Sequence, residues 1–123
     1  MFEWFNGNIY LMNAIFYESN ITLNKAAFQY FDDEDFCILG IDVKNKKVAI
    51  KAVSLRDVEL KLVDASHLNK LSKGKGYIRI SNKTFNKSVA EVLKESLNGQ
   101  KFKVDYDEKE RMLVVDLNEP LKG

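Results

Sequence analysis

The sequence predicts a mainly β domain of the α+β type, in which two ββαββ-like repeats form one pseudo-twofold β-barrel. The repeats, at about 9–53 and 58–117, contain strand, helix and hairpin signals in the same order. Their apolar residues alternate with polar ones, which is typical of strands that are buried on one side. A chain of 123 residues supplies enough buried surface for one core rather than two. We therefore expect residues 1–123 to form a single domain.

The first repeat is predicted to contain two strands, a short helix and a hairpin. Alternating residues at 9–17 predict its first strand. Asn24 is placed to cap the helix, because an asparagine side chain can accept a hydrogen bond from the first backbone N–H groups of a helix. The helix, at 25–31, makes only about two turns before the acidic run 32–35 ends the apolar pattern. A polar turn between alternating residues predicts the hairpin at 41–50.

The second repeat follows the same order with a longer helix. Strict alternation predicts a strand at 58–62, and Ser81 is placed to cap a helix near 82–98 whose apolar residues fall on one face. Gly99 is expected to end this helix, because glycine readily adopts the left-handed conformation common at helix C-termini. A second polar turn predicts a hairpin at 106–115.

The two repeats are expected to close one barrel. A hairpin alone leaves one apolar face in water and its edge strands unpaired. Pairing the strands of one repeat with those of the other removes both problems. We therefore expect hydrogen bonds between the repeats, arranged around an approximate twofold axis.

Composition limits the kind of protein this is. A net charge of +1 gives no overall attraction to nucleic acid or membrane, so electrostatic binding requires a local patch. Because Cys37 is the single cysteine, the chain can form no internal disulfide and no cysteine-based metal cluster. The start lacks a basic region followed by an apolar run, and no segment approaches about 18 consecutive apolar residues. We expect a cytoplasmic protein without membrane contact.

The sequence contains no convincing catalytic or metal site. The glycine-containing loop 73–76 lacks the spacing of a phosphate-binding loop, and the acidic run 32–35 lacks the spaced ligands of a calcium loop. Asp64, Ser66 and His67 lie too close together in one connection to converge as a catalytic triad. We expect a non-enzymatic protein that needs no metal or cofactor.

The strongest functional signal is an excess of basic residues between Lys70 and Lys103. This stretch contains nine basic residues and two acidic ones. Such an excess can neutralise nucleic-acid phosphates, and a basic loop beside Tyr77 can contact bases. The alternative is that these lysines only solvate an exposed surface. The predicted nucleic-acid-binding residues are Lys25, Lys73, Lys75, Arg79, Lys83 and Lys87.

The repeat resembles the AbrB-like swapped-hairpin family of bacterial transition-state regulators and antitoxins. The family motif is hydrophobic-x-hydrophobic-Pro-Lys-x-x-hydrophobic, followed by a helix and a hairpin. Residues 21–28 follow it with Asn24 in place of the proline and Lys25 as the lysine, and residues 78–85 follow it more loosely. The resemblance covers about 9–117 and implies DNA binding and transcription regulation, by a barrel that one chain builds as a tandem duplication.

Phe2, Trp4 and Phe5 precede the repeats, so neither repeat needs them. They can cover an open end of the barrel, or they can contact a protein partner or a second copy of the chain. Two functions follow from the sequence. The first is a DNA-binding module of the transcriptional-regulator type. The alternative is a protein interaction or assembly module that does not bind nucleic acid.

Overall fold

The structure is a computed structural model that describes residues 1–4, 12–31 and 34–121. Its strands are β1 (Asn13–Phe16), β2 (Asn20–Asn24), β3 (Phe36–Asp42), β4 (Lys47–Val53), β5 (Asn69–Lys73), β6 (Tyr77–Ser81), β7 (Gln100–Asp107) and β8 (Met112–Pro120). Its helices are α1 (Leu55–Glu59), α2 (Lys83–Leu93) and two 3-10 helices, Lys25–Tyr30 and Ala65–His67. The strands close a barrel in the order β1-β2-β6-β5-β3-β4-β8-β7, and β7 pairs with β1.

Every neighbouring pair of strands in the barrel is antiparallel. Four of these pairs, β1–β7, β2–β6, β3–β5 and β4–β8, join a strand from the first half of the chain to one from the second half. The predicted β-barrel is therefore confirmed. Closure pairs each strand with two neighbours, although β3 pairs with β5 only at Phe36 and Cys37.

The core fills the inside of the barrel with the apolar residues that alternate along each strand. Phe16 and Phe102 meet there edge to face, with their ring centres 5.6 Å apart. The inward residues lie opposite one another across the ladders, because paired positions in an antiparallel ladder share one face of the sheet. Buried examples are Ala14, Phe16, Ile21, Leu23, Val48, Ile50, Ile78, Ile80, Leu113 and Val115.

Both predicted hairpins are confirmed. β3 and β4 are joined by a turn at 43–46, and β7 and β8 by a turn at 108–111. Each turn ends with a residue in the left-handed conformation, Lys46 and Arg111, both with φ of 54°. The polar turn residues lie outside the core, so the alternation on either side places one row of each hairpin inside the barrel.

The strand predicted at 58–62 is wrong, because helix α1 runs to Glu59 and residues 60–62 form a turn. Ser54 and Asp57 form a reciprocal capping box: Ser54 Oγ accepts from Asp57 N at 3.2 Å, and Asp57 Oδ2 accepts from Ser54 N at 2.8 Å. These two bonds satisfy N–H groups that a helix start leaves unpaired. Five alternating residues are too few to outweigh them, and β5 is the first strand of the second half that joins the barrel.

The predicted end of the longer helix is also wrong. Helix α2 ends at Leu93, and Lys94 takes the left-handed conformation with φ of 57°. The chain turns there so that Leu97, which is 7% exposed, can join the core. Gly99 has φ of 109° but lies in the connection to β7.

The helix starts differ from the predicted caps. Asn82 caps α2, since its side chain accepts a hydrogen bond from Phe85 N at 2.9 Å, whereas Ser81 is the last residue of β6. Asn24 does precede the first 3-10 helix, but its Oδ1 accepts from Asn13 N at 3.1 Å and so joins β2 to β1.

The strand predicted at 9–17 is present as β1, although residues 5–11 lie outside the part of the chain that the structure describes. In the described residues, no helix is both long enough and apolar enough to cross a membrane. The domain division of the chain stays a prediction.

Candidate nucleic-acid interface

Outward-facing residues of five neighbouring strands form aligned rows on one side of the barrel. One row crosses β6, β2, β1 and β7. In it Thr22 of β2 lies between Arg79 of β6 and Ile15 of β1. Ile15 in turn lies opposite Lys101 of β7. Ser72 of β5 continues this row beyond Arg79. Neighbouring strands are about 4.8 Å apart, so the Cα atoms of Arg79 and Lys101 are within about 14 Å of each other. The register therefore brings together two cations that lie far apart in the sequence.

A shallow cavity of about 450 Å³ lies on this side of the barrel. Its lining residues are Tyr17, Asn20, Thr22, Tyr77 and Arg79. The guanidinium carbon of Arg79 lies 5.1 Å from the centre of the Tyr77 ring, a cation–π contact. Tyr17 is 41% exposed. The cavity thus combines aromatic rings, hydrogen-bonding groups and a positive charge on the outer wall.

Each tyrosine of this cavity packs against a glycine. A methyl group on Gly74 would overlap the ring of Tyr77, and one on Gly99 would lie 3.6 Å from Tyr17 Cε1. Gly74 N also donates a hydrogen bond to Tyr77 O at 2.9 Å. The two glycines therefore help to define where the rings lie.

Helix α2 is attached to the turn between β1 and β2 by Asn86. This side chain is fully buried, and its Nδ2 donates to Tyr17 O at 2.8 Å and to Asn20 O at 2.9 Å. Its buried Oδ1 accepts no hydrogen bond from the residues that the structure describes. Burial of a polar group is costly unless it is bonded, and the two donated bonds hold α2 on the barrel together with the buried Val89.

Two predicted residues, Lys83 and Lys87, project from α2 beside this turn. Together with Glu18 and Asn86 they line a second cavity, of about 520 Å³. Lys83 Nζ lies 3.5 Å from Glu18 Oε1, but both side chains are largely exposed. Such ion pairs contribute little because water screens them, so Lys83 can exchange this partner for another anion.

We call this surface the basic face. It comprises Tyr17, Thr22, Tyr77, Arg79, Lys83, Lys87, Lys101 and Lys103. Glu18 is an acidic residue at this face, ion-paired with Lys83, and Asp105, Asp107, Glu108 and Glu110 lie on the neighbouring β7–β8 hairpin. Lys103 is at the boundary, since its Nζ is 3.6 Å from Asp105 Oδ1. Arg79, Lys83 and Lys87 come from other elements, whereas Lys101 lies two residues from Lys103 on β7.

The other predicted basic residues lie at the Tyr77 end of this face or beside it. Lys25 is exposed and follows Asn24, which lies opposite Tyr77, while the exposed Lys75 is in the β5–β6 turn. Lys73 is directed elsewhere: its Nζ donates to Phe31 O at 2.7 Å, after the end of the first 3-10 helix. That bond gives Lys73 a structural role that its sequence context does not suggest.

Five residues of this site were not among the predicted binding residues: Tyr17, Thr22, Asn86, Lys101 and Lys103. Successive residues of a strand point to opposite faces, so Tyr17 points outward because Phe16 is buried. The alternation at 13–17 could therefore have indicated an exposed ring at Tyr17. Asn86 has no such signal, because its partners lie 66 and 69 residues away in the chain.

Phe2 and Trp4 do not cover the barrel. Phe2 and Trp4 are 82% and 89% exposed, with ring centres 6.2 Å apart, so the interpretation that they close an open end is wrong for these two. Phe5 lies outside the described residues. A role of Phe2 and Trp4 in contacting a partner stays a prediction.

The polar residues between α1 and β5 form a local turn. Asp64 Oδ1 accepts from Ser66 N at 2.9 Å and from Ser66 Oγ at 2.8 Å, capping the second 3-10 helix. These bonds hold the pKa of the Asp64 carboxyl below its usual value. The serine hydroxyl therefore donates to the carboxylate rather than to His67. Among the described residues, no group of three histidine, cysteine or acidic side chains is placed to hold a metal ion.

The basic face offers fixed positive charge, aromatic surface and hydrogen-bonding groups, which are the means by which proteins bind phosphates and bases. Its cations come from β6, β7 and α2, and the barrel holds these elements in place. No protein-family model, no curated protein and no solved structure matches this chain.

Proposed function

We propose that this chain is a non-enzymatic DNA-binding module of the transcriptional-regulator type, and that the basic face contacts the nucleic acid. The observation that carries the proposal is the alignment of Arg79 and Lys101 in one outward row, with Lys83 and Lys87 beside it. A net charge of +1 gives no long-range attraction, so binding depends on this local concentration of cations.

Arg79 is suited to the central position of this surface. Its side chain is exposed, and a guanidinium can donate two parallel hydrogen bonds to a phosphate while its plane stacks on an aromatic ring. Contact with Tyr77 restricts the side chain before any ligand arrives. A restricted side chain loses less conformational entropy on binding.

Lys83 and Lys87 provide a second group of cations. They are four residues apart on α2, so they project from the same side of the helix with their Cβ atoms about 6 Å apart. The Asn86 bonds hold this side of α2 next to Tyr17. Arginine and lysine contacts of this kind release counterions from a nucleic acid, so the affinity must fall as salt rises.

Charge reversal tests the proposal. Binding of labelled duplex and single-stranded DNA at low salt is measured by fluorescence anisotropy for the natural chain and for the Arg79→Glu, Lys101→Glu double variant. The matched control, Lys44→Glu with Lys109→Glu, makes the same change of net charge on the two hairpin turns. We expect the first variant to lose at least about tenfold in affinity, and the control to lose less than about threefold.

Two results would reject DNA binding by the basic face. One is the absence of binding to either form of DNA by the natural chain at low salt. The other is an equal loss in both double variants, because the affinity would then follow net charge and not the position of the cations.

We further propose that the barrel has approximate twofold symmetry from a tandem duplication, as the AbrB-like resemblance implies. Equivalent residues of the repeats are 57 positions apart near the first helices and 65 apart in the hairpins. Thr22 lies opposite Arg79, 57 positions later, and Ala49 lies opposite Val114, 65 positions later. A twofold axis through each of these antiparallel pairs would exchange the two equivalent residues, and the registers are consistent with it.

An experimental structure tests the duplication. Superposing residues 20–24 and 36–53 on residues 77–81 and 101–118 should require one rotation of about 180°, as a twofold relation demands. A rotation far from that value, or separate rotations for the two segments, would remove the duplication without affecting the charge argument.

The alternative function, a protein interaction module, is favoured by exposed apolar residues. Besides Phe2 and Trp4, the connection between β4 and β5 exposes Leu55, Leu60 and Leu62, each by more than half. Large exposed apolar patches often mark contact surfaces. Sedimentation of the chain with and without residues 1–7 tests self-association: a change of oligomeric state supports it, and an unchanged state removes the N-terminal contact.

A further inference from the structure

We infer that the basic face recognises single-stranded nucleic acid, with unpaired bases stacked on Tyr17 and on the Tyr77–Arg79 pair. This inference rests on the proposed nucleic-acid binding and specifies its substrate. It depends on the geometry of the outer wall and on the exposure and positions of the two tyrosine rings, and not on the basic charge alone.

The width of the basic face disfavours base contacts with a duplex. The row from Ser72 to Lys101 crosses five strands, which corresponds to about 19 Å along a wall with strands about 4.8 Å apart. The major groove of B-DNA is about 12 Å wide and admits a helix or a two-stranded ribbon. A wall of this width can contact duplex phosphates, but its tyrosines cannot reach paired base edges. Unpaired bases, in contrast, can lie flat on a wall.

The tyrosines are placed to receive such bases. Both line the cavity of about 450 Å³ on the outer wall, together with Asn20 and Thr22, whose polar side chains can bond base edges. The ring of Tyr17 is not buried in the core, because the residue is 41% exposed. Arg79 lies over the Tyr77 ring, and a guanidinium plane is itself a surface on which a base can stack.

The positions of the two rings are defined before binding. Gly74 lies against the ring of Tyr77, and Gly99 lies close to Tyr17. Gly99 N donates to Phe16 O at 2.8 Å, which holds this glycine next to the strand that precedes Tyr17. Stacking surfaces that are already fixed lose little entropy when a base binds.

The two tyrosines are separate platforms and do not sandwich one base. Tyr17 lies in the row of Ser81, and Tyr77 lies two strands away and four residues along. Strand geometry then places their Cα atoms about 16 Å apart. A ligand that uses both must be a strand of several nucleotides, which passes over Arg79 and leaves phosphates for Lys83 and Lys87 beside Tyr17. We expect a minimum of about four nucleotides.

The test compares one strand of oligo(dT), about 20 nucleotides long, with a duplex of equal length by anisotropy at fixed salt. The variants are Tyr17→Ala with Tyr77→Ala, and Tyr17→Phe with Tyr77→Phe as the matched control that keeps both rings. We expect the alanine variant to bind the single strand at least about tenfold more weakly, and the phenylalanine variant to bind it within about threefold of the natural chain. Duplex affinity should change by less than about threefold in both.

Binding of an oligo(rU) strand of the same length, about 20 nucleotides, shows whether the chain prefers single-stranded RNA or single-stranded DNA. A preference for either one supports the inference. Unchanged single-strand affinity in the alanine variant would overturn it. If duplex binding still depended on Arg79 and Lys101, DNA binding itself would stand. If no nucleic acid bound, both proposals would fail together.

A second readout reports stacking directly. In a Trp4→Phe background, Tyr17→Trp places the single tryptophan in the cavity. Stacked bases should quench its fluorescence on addition of oligo(dT), whereas duplex should not. No quenching at saturating oligo(dT) would contradict stacking at this position.

Gly74→Ala tests the position of the Tyr77 ring without changing the charge of the chain or removing an aromatic side chain. Its new methyl group displaces the end of the Tyr77 side chain, so the fold should be retained while the platform moves. We expect single-strand affinity to fall by about threefold or more. Natural affinity in a variant whose circular dichroism is unchanged would count against the role of Tyr77.

Discussion

The side-chain amide of Asn86 donates a hydrogen bond to the backbone carbonyl of Asn20 at 2.9 Å and so joins helix α2 to the start of strand β2. A second bond, to Tyr17 O at 2.8 Å, joins the same amide to the start of the β1–β2 turn. A buried asparagine, together with the apolar contacts of α2, therefore holds Lys83 and Lys87 beside Tyr17.

Replacing this asparagine should lower stability. Asn86→Ala removes both donated bonds and leaves Tyr17 O without this donor, which we expect to reduce the free energy of unfolding by about 2 kcal/mol. Urea unfolding followed by circular dichroism measures the change. Ser88→Ala, an exposed substitution on the same helix, is the control and should change the free energy of unfolding by less than about 0.5 kcal/mol. A similar small effect for Asn86→Ala would mean that the two bonds do not hold α2 in place.

The hairpins could be predicted because they depend on local patterns, and the barrel because unpaired strand edges and an apolar face in water are costly. Alternation around 41–50 and 106–115, with a polar turn in each, identifies strands that have one buried side. The strand predicted at 58–62 shows the limit of this signal. A run of only five residues is compatible with both the strand period and the helix period of apolar residues. The capping box at Ser54 favours the helix.

The candidate site could be predicted only in part. Arg79, Lys83 and Lys87 belong to one basic stretch of the chain, so composition alone indicated them. Lys101 belongs to the same basic stretch, but only strand order and register, which depend on tertiary pairing between distant segments, place it and Tyr17 on one face with Arg79. Nothing in the local sequence around Lys73 indicated its bond to Phe31 O.

The single thiol should be protected in the folded protein. Cys37 is fully buried, and loss of hydration raises the pKa of its thiol to about 12 from an ordinary value of 9.0. We expect a thiol reagent at about pH 8 to react only as the chain unfolds, since the reactive thiolate is absent in the folded state. Rapid labelling of the folded chain would contradict the placement of Cys37 inside the barrel.

The same thiol predicts a loss of stability at alkaline pH. Because its pKa is higher in the folded chain, the unfolded chain releases the proton first, and the stabilisation is complete below pH 9.0 and lost as pH rises towards about 12. Urea unfolding of the natural chain and of Cys37→Ala over this range measures the effect. We expect a shallower decline for the variant, and equal slopes would contradict the prediction.

Acid should also destabilise the fold through hydrogen-bonded aspartates. The backbone N–H of Asn118 holds the pKa of Asp116 below its ordinary value of 3.8, and the side chain of Asn45 does the same for Asp42. A lowered folded-state pKa gives stabilisation that is present above the ordinary value and lost as pH falls through the folded-state pKa. We expect Asp116→Asn, which keeps an acceptor but removes the charge, to flatten the acid dependence of the urea midpoint.

The control for this acid effect is Glu119→Gln, which removes one charge from the same strand. It reports the general influence of net charge at low pH. An acid dependence that Asp116→Asn and Glu119→Gln change equally would mean that the hydrogen bonds of Asp116 are not its source.

The most direct measurement for the basic face is the salt dependence of oligo(dT) affinity between about 50 and about 200 mM. If Arg79 and Lys101 each contact a phosphate, Arg79→Gln with Lys101→Gln should reduce the slope of log affinity against log salt by about 1.4 in magnitude, as expected for two contacts with a single strand. Lys44→Gln with Lys109→Gln should leave the slope as it is in the natural chain. Equal slopes for the natural chain and the Arg79, Lys101 variant would contradict phosphate binding by the basic face.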